Sequence, residues 1–496
     1  MRTPLRILGA TLAVSLAAAA VPLLVSSDAQ AVKFTGGDLV VYRVGAGSAA
    51  LTNAAAPVFL DEFSATGTKV SSLALPTAAA GRNLPLTAVG QSRSEGLIAT
   101  SADGKLLTLT GYEAVPGATG PGGISLTGSD PAAVRRVVGV VDGTGAFDTS
   151  TVLTGADTPQ IIRSAVTDGK RVWAAGGNGG VLTTALGSGT VSRVAGTASS
   201  NINALTVQGH QLFASGILTN RLSKVGTGSP TTSASLTDLT GLPDNLLTYG
   251  YALLDLTAAD YSGTGLDTLY VANSSERGGT VDKYRFNGST WVSAGSVDVE
   301  GATGLVADVE GGVVSLAVTT PTRLLTLSDP SGSAATFEAS EVAVLATAAP
   351  NTEFRGVALA PTGLLNPPSN ALEAGKFAWT DKRITRSGTW RTYTVRSAPG
   401  KKGITSVKKG STATATVIGR KSVVTFSTSP RSGKATVTVD GRRTTVDLYA
   451  KKAGTVAKTF TLVGADAHHL SVKVLGAKSR RSQGTTVSLA LLQVSS

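Results

Sequence analysis

Residues 96–111 read GLIATSADGKLLTLTG. The phrase is a small residue, an apolar run, a Gly turn and a second apolar run. It returns as SAVTDGKRVWAAG at 164–176, ALTVQGHQLFASG at 204–216 and GLVADVEGGVVSLAV at 304–318. The turn glycines are Gly104, Gly169, Gly209 and Gly311. Three residues on, each copy has an aliphatic side chain: Leu107, Val172, Leu212 and Val314. Seven residues on come Gly111, Gly176 and Gly216, with Val318 in the last copy. Each copy is long enough for two short strands joined by a tight turn, where glycine takes positive φ at no steric cost. One hairpin recurring at roughly 40–65 residues marks a β-propeller.

The flanking segments complete blades around these hairpins. Residues 36–75 hold three strands, GGDLVVYRVG, APVFLDEF and KVSSLALP, with no inner strand before them. FRGVALA at 354–360 has the small-then-apolar start of the repeat and is followed by PTG. The expectation is that this late strand joins the first three in one blade, closing the ring and leaving no free sheet edge. The blades are then 354–362 with 38–76, 94–155, 159–197, 200–238, 247–299 and 301–346. Blade two contains a Gly- and Pro-rich loop around 112–131, and blade five a longer turn within LLDLTAADYSGTGLDTLYVANS. Seven blades are the alternative if residues 130–155 pair differently.

Of 496 residues, 59 are Gly, 15% are charged and 42% are apolar, and amphipathic helical runs are nearly absent after the N-terminus. This composition excludes a disordered chain and favours an all-β one. Arg2 and Arg6, the uncharged stretch from Ile7 to Val25, and Ala29-Gln30-Ala31 read as a cleaved signal peptide over residues 1–31, with a transmembrane anchor as the alternative. The mature chain is expected to begin at Val32, outside the cell, by the general secretory route. Cysteine is absent, which excludes thiol catalysis and thiolate metal sites; the only histidines are His210, His468 and His469.

Residues 363–375 include LLNPPSNALEAG, with adjacent prolines and no strand pattern, and read as a linker. The charge then reverses. Residues 376–496 carry 23 Lys and Arg against four acids, whereas 32–375 carry 19 against 27. The basic module is also all-β, because TATATVIG, SVVTFST, GKATVTVDG, RRTTVDLY, TVAKTFTLV, HHLSVKVLG and TTVSLALLQV are strand-like. Ala435, Val437 and Val439 share one face, and Lys434, Thr436 and Thr438 the other. This alternation predicts a β-sandwich of about eight strands.

The region 36–362 resembles an uncharacterised family of secreted bacterial β-propellers, through GDLVVYRVG, SEGLIATSADGKLLTLTGY, LDTLYVAN and FRGVALAP. The resemblance implies the fold and an extracellular location. The C-terminal module looks like the galactose-binding-like sandwiches appended to secreted actinobacterial proteins, through SGTW at 387–390, GKATVTVDG, VDLYA and HHLSVKVLG. That resemblance implies attachment to glycans or cell wall. This copy departs in its charge and in Ser-Val-Val-Thr-Phe at 422–426, where relatives often carry Trp.

Propellers bind ligands in the central channel, which the first strand of each blade lines. Beside the repeat's small position stand Glu95, Arg163, Asn203, Thr303 and Arg355. They read either as a channel site for a carboxylate or phosphate or as ties between blades. Asp255, Asp260 and Asp267 lie on a Gly-bent loop and read either as a Ca²⁺ site or as turn caps. No other cofactor is expected. His468 and His469 have no acid placed as a partner in the sequence. Trp379, Trp390 and Tyr393 either stack on sugars or plug the sandwich. Arg442, Arg443, Lys451 and Lys452 fall at turns and strand ends and are candidates for surface attachment.

The sequence therefore points to a monomeric, secreted binding or scaffold protein. Its propeller recognises a protein or small-molecule ligand, and its basic sandwich attaches to anionic cell-wall polymer or polysaccharide. The alternative is an extracellular propeller enzyme, of lyase, lactonase or phosphate-ester hydrolase type, using a channel metal.

Overall fold

The computed structural model describes residues 32–216, 222–257, 265–274, 278–333, 336–337, 342–365, 368–462 and 467–495. The expected signal peptide, Asp260 and Asp466 lie outside the described residues. From Val32 on, the chain belongs to one compact unit. Among the described residues, the regular elements are strands and three single-turn 3-10 segments.

The repeat folds as its spacing requires. Gly104, Gly169, Gly209 and Gly311 all have positive φ, and Leu107, Val172, Leu212 and Val314 are fully buried. Each hairpin supplies the two inner strands of a blade. Blade three runs outward from Ile162–Thr167 through Arg171–Gly176 and Val181–Ala185 to Ser192–Ala195. Blade four runs from Ile202–Gln208 to Leu236–Asp238, blade five from Thr248–Leu254 to Trp291–Asp298, and blade six from Gly304–Glu310 to Ala343–Thr347. In blade two, Ala99–Thr100 is followed by Leu106–Tyr112, Arg136–Asp142 and Phe147–Leu153. Residues 136–153 thus pair inside blade two, and the count is six.

Blade one joins the two ends of the propeller. Glu353–Leu359 pairs antiparallel with Leu39–Val44, in the register Leu39↔Leu359, Val41↔Val357 and Val44↔Glu353. One connection was not expected. Thr87–Val89 pairs with Ala55–Pro57 on one side and Tyr112 on the other, so blades one and two form a single continuous sheet.

Apolar clusters fill the wedges between blades. Phe213, Leu239, Leu253, Leu269 and Trp291 pack between blades four and five. Tyr270, Val281, Leu316 and Leu327 pack between blades five and six. At the centre, glycine lets the inner strands close together: a Cβ on Gly356 would lie 2.5 Å from the Gly96 carbonyl oxygen, and one on Gly250 2.4 Å from the Leu305 amide. The remaining axial cavity is about 20 Å³, room for about one water.

The C-terminal strands form two six-stranded sheets. One contains Thr412–Val417, His468–Val474, Lys434–Val439 and Arg442–Asp447; the other contains Lys402–Ser406, Val487–Ser495, Lys421–Thr428 and Gly454–Thr461. All seven strand-like segments are strands, and short additional strands raise the expected eight to twelve. Two of these, Ala371–Leu372 and Gly375–Phe377, begin inside the stretch read as a linker; they pair with Thr416–Val417 and Leu492–Val494. Ala435, Val437, Leu470, Val472 and Val474 face inward with no exposure. Phe426 and Trp379 are equally sealed in this core.

Candidate functional site

The expected channel residues lie near the axis but line no open funnel: none of Glu95, Arg163, Asn203, Thr303 and Arg355 is more than 8% exposed. They sit at or just before inner strands, where backbones converge and polar groups must find partners inside the protein. Arg163 donates to Asn201 and, at 2.9 Å, to Asn203 Oδ1 in blade four. Asn203 Nδ2 donates to the Thr248 carbonyl of blade five at 2.9 Å. The Gly250 amide of blade five donates to the Thr303 carbonyl at 2.7 Å. The Thr319 hydroxyl of blade six donates to the Arg355 carbonyl of blade one. The Gly356 amide donates to Gly96, and the Leu97 amide to Arg163, which completes a circuit through all six blades.

Glu95 is the exception in this circuit. Neither carboxylate oxygen meets a donor at hydrogen-bonding geometry, and the Tyr112 hydroxyl and the Nε atoms of Arg163 and Arg355 are also unpartnered. Burial pushes the Glu95 carboxyl up to about 7, against the opposing pull of Ser92, Arg355, the Val89 backbone and Tyr112. Burial likewise pulls the Arg163 guanidinium down. Arg355 reaches outward to Glu353, which also meets Arg93 at 2.9 Å.

On the blade-five loop, Asp255 accepts from Thr257 Oγ1 at 3.1 Å and the Gly265 amide at 3.0 Å. Asp267 accepts from the Leu256 and Thr257 amides, both at 3.1 Å, and from Thr268 Oγ1 at 2.7 Å. These carboxylates cap their own turn. Among the described residues, no three His, Asp or Glu side chains come together as a metal site.

In the sandwich, Arg442, Arg443, Lys451 and Lys452 are all exposed. Trp390 packs against the core, and its Nε1–H donates to the Ser387 and Thr412 carbonyls at 3.1 and 3.0 Å. Tyr393 is half-buried and meets Ser427 Oγ at 2.8 Å. His468 does have an acid partner, contrary to the sequence reading. Asp440, in the hairpin turn at φ 46°, lies 2.6 Å from its Nδ1.

An open cavity of about 690 Å³ lies between blades four and five, which the sequence reading does not anticipate. Phe213, Leu239, Leu253 and Trp291 contribute to its floor, and Phe286 stands at its edge, 40% exposed. Phe286 and Trp291 face each other across a hairpin, with ring centroids 5.5 Å apart. The sequence signal was this pair of large aromatics flanking Asn-Gly-Ser-Thr in a chain with only 5% aromatic residues.

No family model matches the chain, and no curated protein sequence does. Solved structures give loose likenesses. An exo-β-1,3-galactanase from Phanerochaete chrysosporium, crystallised with galactose, is 10% identical over 66% of this chain and 94% of that one, at a TM-score of 0.28. A putative 6-phosphogluconolactonase from Bacteroides uniformis is 13% identical over 76% and 92%, at 0.36. A family 35 carbohydrate-binding module from Clostridium thermocellum is 10% identical over 25% and 98%, at 0.20. The architecture rests on the strand pairing above.

Proposed function

We propose that this is an extracellular binding protein that attaches to an anionic polymer through its basic sandwich and presents its propeller as a rigid ligand-binding platform. The observation that carries the reading is charge without neutralisation. Among the described residues, Arg383 and Lys434 are the only ones of the 23 Lys and Arg in 376–496 that meet a carboxylate within salt-bridge distance. The module's excess of 19 positive charges is well above the roughly 2–8 that keeps a small domain soluble. An acidic polysaccharide or wall polymer is the matching partner outside a cell. The propeller contributes the cleft between blades four and five, since its axis is filled by its own backbone.

The test is cosedimentation of the whole protein with purified cell walls across a salt series. The Debye length falls from ~10 Å at 0.1 M to ~3 Å at 1 M, so retention at low salt should be lost at 1 M. Retention unchanged at 1 M would reject attachment by charge.

A further inference from the structure

The cleft between blades four and five has the chemistry of a saccharide site. Its apolar floor continues the wedge core, and Phe286 offers a flat exposed ring at the edge. That ring packs against Trp291, with centroids 5.5 Å apart, and the turn after it is fixed. Asn287 Oδ1 accepts from the Ser289 and Thr290 amides at 3.0 and 2.9 Å, and the Asn287 amide donates back to the Thr290 carbonyl at 3.1 Å. A ring fixed in this way gives contact area with little ordering on binding.

The facing wall is a cross-strand row, Phe213–Lys224–Thr237, in blade four. Phe213 lies on the floor, while Lys224 and Thr237 are exposed along the wall. Hydroxyls of Thr227, Thr240 and Ser289 complete a polar edge. The acids beside the cleft are engaged by the protein: Asp267 by two amides and a hydroxyl, and Asp238 by Ser223 Oγ. Lys224 has no acid within salt-bridge distance among the described residues. Among the described residues lining the cleft, its ammonium is the charge left for a ligand.

We propose that this cleft binds a uronic acid unit of an acidic polysaccharide. The C–H face of the pyranose lies on Phe286, its hydroxyls meet the Thr and Ser edge, and its carboxylate pairs with Lys224. An aromatic acid satisfies the ring and the cation but leaves the hydroxyl edge unused. This assignment takes from the preceding reading only that the propeller is a binding platform.

The test uses the whole protein at 0.3 M salt, titrated with a glucuronic acid-containing tetrasaccharide and followed by the fluorescence of Trp291, which packs in the floor. The expected result is a saturable change, at least tenfold weaker with Phe286→Ala. Lys224→Gln should reduce the preference over a neutral tetrasaccharide by about tenfold. Melting temperatures and a Trp291→Phe control confirm intact folding and the source of the signal. Absence of saturation, equal affinity of Phe286→Ala, or tighter binding of benzoate would overturn the proposal. Failure of the titration with salt-dependent wall cosedimentation intact rejects the cleft alone, and loss of that cosedimentation with the titration intact rejects the charged sandwich alone.

Discussion

Lys283 Nζ lies 2.9 Å from Asp329 Oδ2, and neither side chain is exposed. The pair joins the third strand of blade five to the third strand of blade six. The Tyr270 hydroxyl donates to the same carboxylate at 2.6 Å, and Lys283 also donates to the Gly332 carbonyl at 2.6 Å. Burial alone raises a carboxyl pKa, but Lys283, Ser331 and Tyr270 together hold that of Asp329 below its ordinary value. A wedge otherwise closed by apolar packing is thus locked by one buried ion pair.

Removing one partner of such a pair leaves the other charged and unsolvated, which costs about 3–5 kcal/mol. Lys283→Met should therefore lower the urea midpoint strongly, and Lys283→Met with Asp329→Asn should recover part of the loss. The pH dependence has a definite sign. A carboxyl held low in the folded state gives stability that is present above its unfolded pKa, ~3.9, and is lost as pH falls through the folded value. In Lys283→Met this acid sensitivity should shrink, because one of the groups that hold the carboxyl low is gone. A midpoint unchanged by the substitution would show that the pair does not hold the junction.

Glu95 titrates in the opposite direction. Its carboxyl is raised by burial to about 7, so its contribution is fully present below the unfolded value, ~4.3, and is lost as pH rises through 7. The facing groups Tyr42, Tyr112, Arg136 and Arg163 do not change charge in that window. Denaturation at pH 5 and pH 8 should show the parent weaker at pH 8, by on the order of 3 kcal/mol at most. Glu95→Gln should flatten this difference and be more stable than the parent at pH 8. A parent protein equally stable at both values would mean that Glu95 is solvated or paired in solution.

What the sequence reveals depends on how local the cause is. Gly104 and Leu107 are legible together because one turn sets both the positive φ and the inward face. Arg163 was legible as a residue near the axis. Its acceptors, Asn201 and Asn203, lie 38 and 40 residues away, and only the closed ring brings them together. Lys283 and Asp329, or Asp440 and His468, become partners through pairing that no short spacing encodes. Asp267 shows a further limit, because two of its three donors are backbone amides, which every sequence supplies. The Phe286–Trp291 hairpin was visible as a motif, but the cleft it faces exists only between two blades.

Ring closure rests on the pairing of Leu39–Val44 with Glu353–Leu359. Deleting 350–362 removes that partner and exposes a strand edge whose Val40 and Val41 are fully buried in the intact protein. The shortened protein should aggregate or lose cooperative melting. Truncation after 375 keeps every propeller strand and should preserve a sharp transition. Identical melting of the two chains would show that the late strand does not close the ring.

The charge of the sandwich can be lowered without touching its core. Arg442 and Arg443 open an edge strand that pairs only with Lys434–Val439, and Lys451 and Lys452 follow it in a loop. All four are exposed, so changing them to Gln removes four charges at little cost in stability. If attachment is electrostatic, the quadruple variant should release walls at a lower salt concentration than the parent, while melting within about a degree of it. Trp390 offers the contrasting case. Its ring lies against the core and its indole N–H is held by two carbonyls. Trp390→Ala should therefore lower the melting temperature and leave the salt midpoint of wall release near the parent value. The reverse pattern, with wall binding lost in Trp390→Ala and retained in the quadruple variant, would replace the charged surface by a stacking site.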